Sequence, residues 1–483
     1  MFDRSRILAF ATIALCFHLA TGQAQEGRAV AGVGGVAVSS LLGHDAALSR
    51  CVGGSPDQPS RHSDFEAHAA VNPSDPRQVA AAWMTIGGNR SYIIRASVSS
   101  DGGENWMAPV TLPFVACAGN SLPDLHVATD PWVAFGPEGR LYVSAQAYSG
   151  KAGGHAGLQH ISVITSGDGG RSWDLPQTAL VVHGPSSKFD NTAVTADPLH
   201  PGTAYVLATE FQHAEGVGPQ NKPSRNRIGQ AALSKTTDGG KTWGPRQLVS
   251  PDLPGTYADL PQMVVDPQKG RLLIFYSSLG ADESAINFVA SGDEGRTWSP
   301  PARVCEYVRL RKPPRRPMAE DVIHPTIDSR SGRLYVVFVD GRFTAGEYSQ
   351  VAITSSMDGG RTWTKPAPVS TRSDRPAWLP SIAAGESGTI GVSYFDAPRD
   401  STATTTQVSL WKKTFALNDN GDPVAPHEDL VDRFPLLKAI SWEGFFLGDY
   451  FALLNVPGGF RGIYVKSFTQ RNGSARTAVY FSH

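Results

Sequence analysis

The chain has 483 residues, 43 Lys plus Arg against 44 Asp plus Glu, and 41% hydrophobic residues. Charge this evenly balanced argues against a nucleic-acid or anionic-membrane partner, which would need a basic face. No zinc-type Cys/His spacing, phosphate-cradling Gly loop or Gly-x-Ser-x-Gly elbow is present, and 50 Gly with 35 Pro describe a chain made of turns.

At the N-terminus Arg4 and Arg6 precede an apolar run from Ile7 to Cys16, followed by Gly22-Gln23-Ala24. That order predicts a signal peptide over 1–24, cut after Ala24 and too short to span a bilayer. A segment over 25–62 follows, and 63–483 reads as one domain. No later stretch is a transmembrane candidate, so a secreted or periplasmic monomer is expected. Export permits disulfides. Cys51, Cys117 and Cys305 remain after cleavage, and three pairings are open. A Cys51–Cys117 bond would pin the N-terminal segment to the start of the domain.

From residue 63 onward, apolar hairpins recur. They begin near Ala67 (AHAAVNPSDPRQVAAAW), Pro131, Thr192, Pro261, Pro325, Pro380 and Tyr450, each as two β-rich runs around a Gly- or Pro-rich turn. Between the hairpins an octad, Ser/Thr-x-Asp-x-Gly-x-x-Trp, returns five times, at Ser99–Trp106, Ser166–Trp173, Thr236–Trp243, Ser291–Trp298 and Ser356–Trp363. Self-similarity with a period of about 60 residues means that one folding unit has been copied. In each octad the Asp side chain suits backbone N–H groups of a turn, the Gly suits a positive φ, and the Trp offers a large ring to the neighbouring sheet.

A third strand leads into each octad (Tyr92 to Val98, for example) and a fourth leaves it (Pro109 to Phe114), so the unit has four strands. Four-stranded units in series predict an all-β propeller of seven blades, with a six-bladed ring as the second reading. The sixth unit lacks the octad, with Gln407 to Lys413 at its third-strand position. The seventh runs out of chain after three strands, so Val33 to Ser39 is expected to supply the missing outer strand.

The octad resembles the Asp-box, or BNR repeat, of the sialidase (neuraminidase) type β-propellers. As a structural turn it implies fold rather than chemistry. Sialidases have six blades, so the hairpin count departs from that family. The resemblance implies a glycoside hydrolase working on a glycan through three arginines, an Asp acid/base and a Tyr nucleophile assisted by a Glu. Carried onto matching positions, it points to Asp130 as the acid, Tyr450 with Glu443 as the nucleophile pair, and Arg342 and Arg399 as carboxylate-binding residues. The first inner strand lacks the family's Phe/Tyr-Arg-Ile-Pro arginine, which Arg90 replaces only if its loop folds inward.

Independently of the family, polar residues gather at the start of each inner strand: Glu66 and His68, Asp130, Asp190, Asp259, His324, and Asp449 with Tyr450. On a propeller they would converge at the channel mouth opposite the octads, where loops of unequal length leave room for a binding site. Carboxylates and tyrosines there suit acid/base chemistry on a sugar. Two alternatives stand beside hydrolysis: a non-catalytic propeller binding a glycan or a protein, and a polysaccharide lyase with a His/Tyr pair. No cofactor is expected. An acidic mouth can hold calcium structurally, but no linear calcium loop is present. The basic run Arg309–Arg316 reads as a solvated loop.

Overall fold

The structure, a computed structural model, describes residues 34–39, 45–52, 62–87, 91–149, 157–183, 187–213, 227–251, 257–280, 284–310, 322–385, 388–399, 406–418, 422–437, 446–470 and 472–483. The expected signal peptide lies outside the described residues, as do Arg90, Glu443 and most of the basic run after Leu310.

Strands account for nearly all regular structure, and one short α-helix, Ala46–Val52, lies between the first strand, Gly35–Ala37, and the rest. The strands form a β-propeller arrangement, but the hydrogen-bonded sheets number five, where seven separate blades were expected and six were the second reading. Three sheets have four strands and two have eight. The reason is local. In each eight-stranded sheet, two antiparallel series meet at a single parallel pair, Tyr92 with Val127 in one and Gly229 with Tyr257 in the other. One backbone contact between adjacent series is enough to merge them.

Each antiparallel series runs outward from an innermost strand. These inner strands are Ser63–Asn72, Leu125–Phe135, Ser187–Ala196, Tyr257–Val265, Ile323–Ile327, Ala377–Gly385 and Ala452–Val456. Residues from every one of them line one central cavity of about 450 Å³. Middle strands carry apolar side chains on both faces, as expected of sheets stacked against neighbours on either side. Tyr335, Val337 and Val336, for instance, are fully buried but divide between two clusters on opposite faces of their sheet.

The five octads share one hydrogen-bond pattern. In the first, the Ser99 hydroxyl donates to Asp101 at 2.7 Å and accepts from the Gly103 N–H at 2.9 Å, while Asp101 accepts from the Asn105 N–H at 2.9 Å. The Trp ring then packs on the preceding unit: Trp363 lies 6.1 Å from Phe275, and Trp106 lies 5.4 Å from Phe481. In the unit without an octad, the third and fourth strands are instead the longest pair in the fold, Thr406–Leu417 with Pro423–Leu436.

Closure uses both chain ends. Gly35–Ala37 pairs antiparallel with the last strand, Ala475–Ser482, as its outer neighbour. The Cys51–Cys117 disulfide, with Cα atoms 5.2 Å apart, then holds the N-terminal helix on the first unit, leaving Cys305 free. Among the described residues no helix is long and apolar enough to cross a membrane.

Candidate functional site

The inner strands are not regular where the site begins. Five of them carry a β-bulge, at 65/68, 129/132, 190/193, 259/262 and 378/381. Within each bulge one non-glycine residue has a positive φ: Glu66 (52°), Asp130 (54°), Asn191 (55°), Leu260 (48°) and Leu379 (52°). This conformation costs an L-residue about 1–2 kcal/mol, and bulges re-aim side chains and bend the strand. Three of the five precede a proline (Pro131, Pro261, Pro380), which disfavours the right-handed region for the residue before it.

Hydrogen bonds link neighbouring bulges into a chain around the channel. The Glu66 N–H donates to the Leu447 carbonyl at 3.2 Å, and the Asp130 N–H donates to Glu66 Oε2 at 3.4 Å. The Asn191 backbone N–H lies near enough to the Asp130 carboxyl to favour its charged form, and the Asn191 amide donates to Asp259 Oδ1 at 2.9 Å. Glu66 and Asp130 are 3% and 8% exposed, so neither carboxylate has much water to stabilise its charge. Burial, with the nearby charge of Asp190, pushes Asp130 up to about 7. Burial, then Asp130 and Asp449, push Glu66 well above the usual carboxylate range. Asp190 itself lies 3.4 Å from the Lys188 ammonium.

Beneath the carboxyls lies an aromatic floor. His68 stacks on Trp132 with centroids 3.8 Å apart, and Tyr450 lies 5.1 Å from Trp132. His68 Nδ1 accepts from the Val133 N–H at 3.2 Å, which assigns the ring proton to Nε2. The Ser381 hydroxyl accepts from the Leu453 N–H at 2.9 Å and lies 3.1 Å from His324 Nδ1. Burial lowers both imidazoles, His324 to about 4, and His324 lowers His68 further. Both rings are therefore neutral at pH 7. The Tyr450 hydroxyl donates to the Pro131 carbonyl at 2.8 Å, and burial with Glu66, Asp130 and Asp449 nearby raises its pKa. It is held as a phenol. His68, Trp132 and His324 also line the central cavity.

The structure thus brings together Glu66, His68, Asp130, Asp190, Asp259, His324, Asp449 and Tyr450. It does not bring the two described arginines to them. Arg342 bonds Asp340 and the Glu306 carbonyl. Arg399 bonds Glu347 and lies 4.9 Å above the Tyr348 ring. Arg90 and the expected partner of Tyr450, Glu443, lie outside the described residues. Among the described residues no three His, Cys, Asp or Glu side chains are placed to hold a metal ion.

Three contributors were not singled out from the sequence: Asn191, Trp132 and Ser381. A signal existed for the first two. Both occupy the bulge positions also filled by Glu66-Ala67-His68 and Asp130-Pro131-Trp132, one residue or two before the apolar core of the strand. Ser381 occupies the register position of His68, but a lone serine in a strand carries no such mark.

No family model matches the chain. By sequence it is similar to a sialidase from Micromonospora viridifaciens, 29% identical over 264 residues that cover 51% of this chain and 37% of the relative. The chain therefore spans well under half of that relative's length. Among solved structures, the Hadza microbial sialidase Hz136 is 17% identical with a TM-score of 0.45, over 69% of this chain and 63% of that one. The α-L-arabinofuranosidase Arb93A from Fusarium graminearum is 12% identical with a TM-score of 0.43, over 72% and 92%. The chain is thus a β-propeller-like protein with sequence similarity to a sialidase.

Proposed function

We propose that this chain is a glycoside hydrolase acting on a glycan at the channel mouth opposite the octads, with Asp130 as general acid. The supporting observation is the Asp130 carboxyl, which stays protonated to about pH 7 in a funnel of other carboxylates. A glycosidic oxygen leaves readily only when protonated, and an acid titrating near the working pH does this best. Glu66 touches Asp130 too closely to stand across a sugar from it. Its role is to hold the Asp130 bulge. Asp449, close enough to Glu66 and Tyr450 to perturb both, is the second carboxylate, acting on the opposite side of the ring. Tyr450, bonded to Pro131, supports the floor in place of acting as a nucleophile.

Two finer readings belong to the same proposal. Counted by inner strands around the cavity, the five sheets make seven blades. Export through a leader ending at Ala24 is supported by the Cys51–Cys117 bond, which forms in oxidising compartments.

A binding module without catalysis is the second reading. It is favoured by the use of Glu66 as an acceptor for a backbone N–H group of the neighbouring unit. The lyase reading has less support, because Tyr450 and the Nδ1 atoms of both histidines are already engaged.

Release of 4-methylumbelliferone from a panel of glycosides tests the proposal. On any substrate turned over, Asp130→Asn should lower kcat/KM by about 10²–10⁴-fold while the variant remains folded at the assay temperature. An unaltered rate in that variant removes Asp130 from catalysis and leaves the binding reading.

A further inference from the structure

Resting on that reading of the site, we infer that the sugar bound at the channel mouth is uncharged, and that the site discriminates against glycans carrying a carboxylate. Four carboxyl groups from the first, second, third and last inner segments (Glu66, Asp130, Asp190 and Asp449) gather here: the Asp130 N–H donates to Glu66 Oε2 at 3.4 Å, and burial, with the charges of Asp190 and Asp449 added, drives Asp130 and Glu66 toward their neutral forms. A uronate or sialate entering this wall would add a further negative charge where burial has already made charge expensive. Among the described residues, the cationic groups placed to offset it have other partners. Lys188 pairs with Asp190 and lies over the Phe211 ring, 5.2 Å from its centroid. Arg342 and Arg399, the described residues placed by blade position for carboxylate capture, bond Asp340 with the Glu306 carbonyl and Glu347 respectively. Bidentate capture of a substrate carboxylate requires a free guanidinium fork; Arg342 has Nε and Nη2 engaged, and Arg399 is turned to Glu347 through Nη2.

The floor favours the same class. Trp132, flanked by the neutral His68 ring and by Tyr450, is a partly exposed aromatic group in a funnel whose polar groups are hydrogen-bond partners more than counter-ions. Aromatic surface of this kind packs on the C–H face of a pyranose or furanose ring, and carboxyl and carboxylate oxygens serve its hydroxyls. Such a site recognises hydroxyl pattern and shape.

The test compares neutral 4-methylumbelliferyl glycosides (α-L-arabinofuranoside, α-L-rhamnoside, β-D-galactoside) with the sialoside and the β-D-glucuronide. In parallel, direct binding of the full chain to immobilised neutral, sialylated and uronate glycans is measured. We expect kcat/KM for at least one neutral glycoside to exceed that for either anionic one by about tenfold or more, with the gap narrowing as salt screens the wall. Asp190→Asn, which releases Lys188 from its partner, should raise affinity for the anionic glycans. If no glycoside is cleaved but neutral glycans bind in preference to anionic ones, the inference about the ligand stands and the hydrolase reading falls. Cleavage or binding that favours the sialoside or the glucuronide overturns it, as does failure to bind any neutral glycan.

Discussion

Asp130 combines two demands that usually fall on different residues. Its backbone sits in a left-handed bulge conformation and donates to Glu66, while burial pushes its carboxyl up to about 7. The sign of the pH dependence follows. A general acid works protonated, so activity should decline as pH rises through about 7, the value at which Asp130 ionises. Stability should change in the same direction. The unfolded carboxyl releases its proton near the ordinary value of 3.8 and the folded one near 7, so Asp130 contributes fully at low pH and that contribution is lost as pH rises from about 4 to about 7. His324 acts oppositely: lowered to about 4 from 6.5, it loses stability as pH falls through that window. Thermal melts of wild type and Asp130→Asn between pH 4 and 8 separate the two. The difference between the curves should shift against the wild type as pH rises, while the histidine contribution cancels. Which acidic residues come together was largely legible in the sequence, because each lies near the start of an inner strand. The roles of the arginines were not, since whether a guanidinium faces a channel or its own blade depends on loop conformation.

At the scale of the element, the repeated octad turn sets the geometry of each unit. Gly360, with φ at 94°, closes the turn after Ser356, and a Cβ there would lie 2.5 Å from the Phe288 ring of the preceding unit. Gly360→Ala should therefore cost about 1–3 kcal/mol, part from backbone strain and part from overpacking. Urea unfolding measures this, and an effect below about 0.5 kcal/mol would mean the turn relaxes freely. The octad aspartates add an acid-side signature. Hydrogen bonds from Thr242 and Thr297 lower Asp238 and Asp293 to about 2. Their contribution is present above the ordinary carboxylate range and fades as pH falls toward 2, though solvent screening at these exposed turns keeps it small. The octads were read correctly as turns because their constraints are local: a hydroxyl, a carboxylate and a glycine within five residues. The bulges were missed because a register shift is a property of two strands at once.

For the whole molecule, the ring closes where the chain ends meet. The strand Gly35–Ala37 covers the edge of Ala475–Ser482, and the Cys51–Cys117 bond secures the segment between that strand and the first unit. Reduction should lower unfolding stability by about 2–4 kcal/mol, since the bond closes a long loop in the unfolded chain. Equilibrium unfolding with and without reductant measures it. Cys305 does not confuse the experiment: burial pushes its thiol up to about 12, so it should resist alkylation in the native protein at neutral pH. An unchanged midpoint on reduction would show that strand pairing alone carries the closure.

The sequence by itself determined the repeat, the four-strand unit, the octad turns and the clustering of acidic and aromatic residues at inner-strand starts. Each follows from local pattern, in which side-chain chemistry and spacing over a few residues decide the outcome. Tertiary structure alone decided how the units merge into sheets, which cysteines pair, that Tyr450 donates to Pro131, and that Arg342 and Arg399 turn to their own acidic partners. These depend on distances between residues tens to hundreds of positions apart, which packing sets and no local pattern encodes.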